Sequence, residues 1–378
     1  MKKTFSLLVA SLFAWCSFAQ KSSNEHYLLV GTYTNGKSEG LYTYKFNSVT
    51  GDFSYVSVAK NCKNPSYLAV SPNEKYVYAV NETNSKTNFG GQVTAFSFNK
   101  QNGILSEVNK QSSGGNDPCY ITVDKSGKWV VIANYTSGTV SVLPIKKDGS
   151  LDSAVTVIQH EGSGVNSDRQ EGPHAHSTVL SRDNDYLFAQ DLGIDKIMIY
   201  AFNNKTGQLT PAPTPYVEVE PGAGPRHFDF HPNNKYAYLI EELTGSISVY
   251  NYQGHGQLAL IQNISALPPD YTGPVGSADI HVSPDGKFLY ASNRGESNTI
   301  AILKINQQTG MLTLVGHQST LGKTPRNFNF DPSGNFLLAA NQNSDDVVIF
   351  KRDKQTGLLT DTGKKIVVGN PVCIKWID

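Results

Sequence analysis

Apolar and polar positions along this chain change over within a few residues. Lys75 to Val80 alternates, while Gln92 to Phe98, Thr139 to Leu143 and Ser246 to Tyr250 are rich in β-branched and aromatic residues, so each run predicts a strand. Lys205-Thr206-Gly207, Gln308-Thr309-Gly310 and Gln355-Thr356-Gly357 put glycine where a tight turn needs a positive φ. No helix is predicted after the N-terminal segment.

The strands belong to a repeat. Pro65-Ser66-Tyr67-Leu68-Ala69-Val70-Ser71-Pro72-Asn73 followed by Lys75 to Glu82 reads strand, turn, strand. The same grammar returns at Pro118 to Tyr135, His174 to Leu192, Pro225 to Glu242, Ser277 to Arg294 and Pro325 to Gln342. With Pro72 as reference, the equivalents are Lys125, Arg182, Pro232, Pro284 and Pro332, 48 to 57 residues apart, room for four short strands per unit. A seventh unit is split. Asn370-Pro371-Val372-Cys373-Ile374 repeats only the first strand, and Tyr27 to Val30, Leu41 to Phe46 and Phe53 to Ala59 supply the other three. This arrangement predicts an all-β, seven-bladed β-propeller with four antiparallel strands per blade, closed by pairing the terminal strands so that both open edges are covered.

Composition changes the picture in three places. Lys2 and Lys3 precede an apolar run from Phe5 to Phe18 that is too short to span a bilayer and ends at Ser17-Phe18-Ala19. Residues 1–19 therefore read as a cleaved signal peptide of a periplasmic or secreted protein, leaving 20–378 as one propeller domain. Trp15 before Cys16 argues against a lipid anchor. Lys plus Arg and Asp plus Glu are both 32, so no basic stripe calls for nucleic acid or anionic lipid, and a monomer without a membrane span is expected. Cys62, Cys119 and Cys373 lack metal-type spacing and read as buried, free thiols.

Equivalent positions of a propeller form rings around its channel, and comparing them separates scaffold from chemistry. Six residues before the reference stand Ser66, Cys119, His176, Arg226, Ala278, Arg326 and Val372. Nine after it stand Asn81, Asn134, Asp191, Glu241, Asn293 and Asn341, and ten after it Glu82, Tyr135, Leu192, Glu242, Arg294 and Gln342. The repeated Asn suits a structural role, bonding backbone at strand ends. The other two rings tolerate Ser, Ala, Val or Leu, so the fold does not demand His176, Arg226, Glu242, Arg294 or Arg326, and ligand binding at one mouth is expected of them. As rim charges, Arg226 and Arg294 are expected to matter for turnover and little for melting, and Asn134 the reverse. His174 and His176 alternate onto one face, as two-His metal sites do, but with no third ligand a hydrogen-bonded pair without metal is expected. His227 and His231 read as packing and turn residues.

Gln170-Glu171-Gly172-Pro173-His174-Ala175-His176-Ser177, Gly224-Pro225-Arg226-His227-Phe228-Asp229-Phe230-His231-Pro232, Glu242-Leu243, Asp285 to Tyr290 through Arg294, and Thr324-Pro325-Arg326 follow one another in an order that resembles the seven-bladed propeller lactonase family, which includes propeller-type 6-phosphogluconolactonase and carboxymuconate-lactonizing enzyme. The resemblance implies catalytic roles for His176, Arg226, Glu242 and Arg294 and a substrate contact for Arg326, with His174 and Gln342 as further expected substrate contacts. It also implies hydrolysis of a sugar lactone, 6-phosphogluconolactone most directly; with no Ser-His-Asp nucleophile signature in the sequence, direct water attack without metal or other cofactor is expected. Arg side chains suit a growing oxyanion and a substrate carboxylate or phosphate, and His176 or Glu242 could move the proton. Two alternatives stay open: a non-enzymatic propeller binding a protein or glycan, and a calcium-dependent lactonase using oxygens of Asn81, Asn134, Asp191, Glu241 and Asn293.

Overall fold

The computed structural model describes residues 24–87 and 90–378, so the expected leader, residues 1–19, lies outside the described residues. Seven four-stranded antiparallel sheets surround one axis. Their innermost strands are Leu68–Val70, Pro118–Val123, Ala175–Leu180, Pro225–Phe230, Ser277–Val282, Pro325–Phe330 and Pro371–Ile377. The last sheet joins both ends of the chain. Pro371–Ile377 pairs with Glu25–Thr32 in the register Tyr27 to Ile377 and Val30 to Ile374, and Leu41–Asn47 and Phe53–Ala59 continue outward. Two single-turn 3-10 helices, Leu192–Ile194 and Gln342–Ser344, are the helical exceptions among the described residues to the strand-only expectation.

Each blade is apolar on both faces and buries them against its neighbours. Phe188, Ile197 and Ile199 pack on Phe228, Leu239 and Tyr250 of the next blade. At the junction with the split blade, Leu28, Val30, Phe46 and Ile374 meet Phe336, Leu338 and Ile349. A polar lock repeats beside this packing: the buried hydroxyls of Tyr78, Tyr238 and Tyr290 donate to the carbonyls of Gly149, Gly310 and Gly357 in the following blade. Those turns need glycine twice over. At Gly310 φ is +73°, and an added Cβ would stand 2.3 Å from the Tyr236 ring. Cys62, Cys119 and Cys373 are free and buried, as the sequence suggests.

Candidate active site

The inner strands enter the channel with a shared irregularity. Their pairing skips one residue between Pro118 and Tyr120, Ala175 and Ser177, Pro225 and His227, and Pro325 and Asn327. The skipped residues are Cys119, His176, Arg226 and Arg326. A bulge leaves one residue out of the ladder and re-aims its side chain, so the first ring of the sequence is a ring of bulges pointing at the axis. At the paired end of the second strands, consecutive positions face opposite ways. Asn81, Asn134, Asp191, Glu241, Asn293 and Asn341 turn into their blades, and the next residues Glu82, Tyr135, Glu242 and Arg294 turn to the cavity.

The split blade completes both rings. Pro371 pairs with Thr32 as Pro225 pairs with Glu241, which makes Tyr33 the equivalent of Glu242. Tyr33, Glu82, Tyr135, Glu242 and Arg294 line a cavity of about 380 Å³ together with Cys119, His176, Arg326 and Arg169. That volume suits a small ligand. Beneath it, Ser66, Tyr67, Glu82, Cys119, His176, Arg226, His227, Arg326 and Val372 border a pocket of about 10 Å³, close to the room one water needs.

Glu242 is the hub of the wall. Its Oε1 accepts from Arg169 Nη2 at 2.6 Å, and its Oε2 lies 2.8 Å from Arg226 Nε and 2.9 Å from Arg294 Nη2. Burial alone would raise its carboxyl, but Arg294, Arg226 and Arg169 hold it well below the usual range. Arg226 is buried against Glu242 and the Ala278 carbonyl. Burial pulls Arg294 down to about 10, still a cation at neutral pH, and its Nε donates to the Gly276 carbonyl. Arg326 approaches the Tyr33 ring, 5.5 Å from its centroid, and forms no ion pair among the described residues. His176 is held well below the ordinary imidazole range by burial first and Arg226 second, so it is neutral at neutral pH.

His176, Arg226, Glu242, Arg294 and Arg326 thus meet at one mouth, as the repeat comparison predicts. Four other expectations need correction. Gln342 does not line the cavity, because the chain turns there into the 3-10 helix Gln342–Ser344. His174 stands behind the wall: it stacks on Tyr135 with centroids 4.4 Å apart, and its Nδ1 lies 3.1 Å from the Tyr135 carbonyl oxygen. The two histidines flank Tyr135 and are not bonded to each other, and His176 Nδ1 is buried without a partner among the described residues. Arg226 is no rim charge, being 1% exposed. His227 does pack, against Tyr67 and Tyr120, yet it also forms the floor of the small pocket, with Nδ1 2.7 Å from Asp279 Oδ1.

The oxygen donors of the calcium alternative are dispersed over five blades, and four of the five are engaged locally, Asn134 Oδ1 being buried without a hydrogen-bond partner among the described residues. Asn81 Oδ1 accepts from Thr94, Asp191 from the His174 and Gly193 amides, Glu241 from Ser248, and Asn293 from Ser277. No group of three or more His, Cys, Asp or Glu among the described residues could hold a metal ion.

Arg169, Tyr33 and Glu82 join the site without having been singled out. Tyr33 and Glu82 are ring members and could have been found by extending the comparison to the split blade and to every charge in the third ring. Arg169 lies on a loop outside the repeat. That loop is pinned by His160 Nδ1, 2.6 Å from Asp191 Oδ2, and by Gln170, whose amide donates to the Leu192 carbonyl and to Asp195.

The family model described as lactonase, 7-bladed beta-propeller, matches residues 27–376. The chain belongs to that lactonase family. Among curated relatives, a 6-phosphogluconolactonase of Formosa agariphila is 41% identical over 344 residues, 90% of this chain and 96% of the relative. A 6-phosphogluconolactonase of Bacillus subtilis is 39% identical over 92% of this chain and 97% of its own length. Among solved structures, the Pseudomonas aeruginosa periplasmic gluconolactonase PpgL matches with a TM-score of 0.88 at 35% identity, over 94% of this chain and 99% of that one. His176, the Arg226–Glu242 pair and Arg294 thus stand on three successive blades of a lactonase scaffold, and no helix among its described residues is long and apolar enough to cross a membrane.

Proposed function

We propose that the protein is a lactone hydrolase that opens a sugar lactone, with 6-phosphogluconolactone as its substrate. The observation that carries this reading is the cavity's charge. Four guanidinium groups, Arg169, Arg226, Arg294 and Arg326, face two carboxylates, Glu82 and Glu242, so the wall is short of negative charge. A phosphorylated lactone restores the balance. Arg326, in ion-pair contact with no carboxylate among the described residues, and Arg169, at the mouth, are suited to hold the phosphate. Arg294, anchored by Glu242, is placed to meet the oxygen that becomes negative when water adds to the carbonyl.

Of the two residues considered for proton transfer, Glu242 is a poor choice because three arginines stabilise its charged form. His176 is a neutral imidazole and can hydrogen-bond the reacting oxygens without adding a further cation. The N-terminal Lys2-Lys3 and apolar run support a periplasmic or secreted location for this activity. In keeping with that, the Pseudomonas relative is described as periplasmic.

The test is a panel of phosphorylated and plain aldonolactones, with and without a chelator. Fast opening of the phosphorylated lactone, unchanged by chelator, is expected, and Arg326→Ala should raise KM for that lactone more than for the plain one. If no lactone opens above the uncatalysed rate, the protein is a binding module. Loss of rate with chelator would restore the calcium-dependent alternative.

A further inference from the structure

The third ring carries two glutamates in equivalent positions, and their surroundings are opposite. Glu242 is saturated by three arginines. Glu82 forms no ion pair among the described residues; both its oxygens lie 2.9 Å from the Tyr33 hydroxyl, which donates to them. Glu82 also borders both the open cavity and the water-sized pocket beneath it, as do Cys119, His176 and Arg326. A carboxylate there can reach a water in the small pocket and a substrate in the large one.

We infer that Glu82 is a catalytic residue, the general base that takes a proton from the attacking water and returns it to the lactone ring oxygen. The inference rests on the lactone-hydrolase reading above. As the water oxygen bonds to the carbonyl carbon, one of its O–H bonds breaks and that proton passes to Glu82. When the tetrahedral intermediate collapses, the bond from carbon to ring oxygen breaks, and the proton on Glu82 moves to that oxygen. The new carboxylic acid releases its own proton to solvent, so the step consumes only lactone and water.

The electrostatics favour this division of labour. Burial raises the Glu82 carboxyl above its usual range and Asp117 adds to the rise, while Arg326 and Tyr33 pull it back in part. Cys119 beside it is a neutral thiol, pushed up by burial. Glu242 and His176 are both held low, whereas Glu82 is the carboxylate on the wall whose affinity for a proton the surroundings raise. Two carboxyls driven apart in this way suit different tasks, one as base and one as fixed charge.

The experiment is a pH profile of kcat/KM and of kcat for the parent, Glu82→Gln and Tyr33→Phe on the lactone that the parent opens fastest. In the parent the rate should fall as pH drops and Glu82 becomes protonated. Glu82→Gln should lose about 100-fold or more in kcat with little change in KM, and its acid limb should vanish. Tyr33→Phe removes a hydrogen bond that favours the charged carboxylate, so its acid limb should move to higher pH. A merely structural Glu82 would leave that limb where it is. Parent-like kcat in folded Glu82→Gln, or an unmoved limb in Tyr33→Phe, overturns the inference, and the second variant decides alone if the first does not fold. A parent that opens no lactone is a different failure, that of the lactone reading itself.

Discussion

Arg226 was legible as a site residue because the repeat subtracts the scaffold: where other blades carry Ser, Ala or Val, an arginine is there for another reason. Its burial was not legible, since a sequence ring gives the angular position of a side chain and not its depth. The bulge turns Arg226 inward, and Glu242 and the Ala278 carbonyl hold it 1% exposed. The expectation that Arg226→Ala spares melting therefore reverses. Removing one partner of a buried, hydrogen-bonded ion pair costs about 3–5 kcal/mol, so Arg226→Ala should lower the unfolding midpoint in urea clearly as well as abolish turnover. Arg294, whose side chain is 15% exposed beside the open cavity, should cost less stability when replaced. Equal midpoints for the parent and Arg226→Ala would show that the buried pair contributes nothing to the fold. Arg169 escaped the sequence for the opposite reason: with no counterpart in other blades, nothing marked it out from any loop arginine.

At the scale of elements, strand positions followed from alternation, and most observed bounds lie within two residues of the expected ones. Bulges and 3-10 turns left no mark on the alternation, and they decide which ring members reach the cavity. Leu192 and Gln342 share the third ring with Glu82 and Glu242, but the chain coils at both, and neither lines the cavity. The second-ring side chains bond within their own surroundings, as a structural role requires. Asn134 is fully buried, and its Nδ2 donates to the Ser113 carbonyl and to Thr139 Oγ1, tying the end of its strand to both neighbours. Asn134→Ala leaves the Ser113 carbonyl without that donor at a cost of about 1–3 kcal/mol. Denaturant unfolding should show that loss, while turnover well below the transition stays close to the parent's. A rate collapse at unchanged stability would move the second ring into the site and reopen the calcium alternative.

For the whole molecule, the split repeat carried the most information, since a unit with only its first strand at one end and its last three at the other has one way to become a complete blade. The structure closes the ring in that way, and the closing strand bears on stability and site together. Val372, Cys373, Ile374 and Ile377 are buried along it, Ile374 donates its amide to Asn327, and its carbonyl accepts from Asn329. Val372 also walls the small pocket between Ser66 and Arg326. Burying each large aliphatic side chain contributes about 1.5–3 kcal/mol, so the three aliphatic residues alone approach the 5–15 kcal/mol by which whole domains are stable. Deleting Pro371 to Asp378 should therefore remove the cooperative transition, because Glu25–Thr32 loses its partner and the blades on either side lose an apolar face. Calorimetry of the truncated chain checks this. A transition like the parent's would mean that the six complete blades hold the ring without a closing strand.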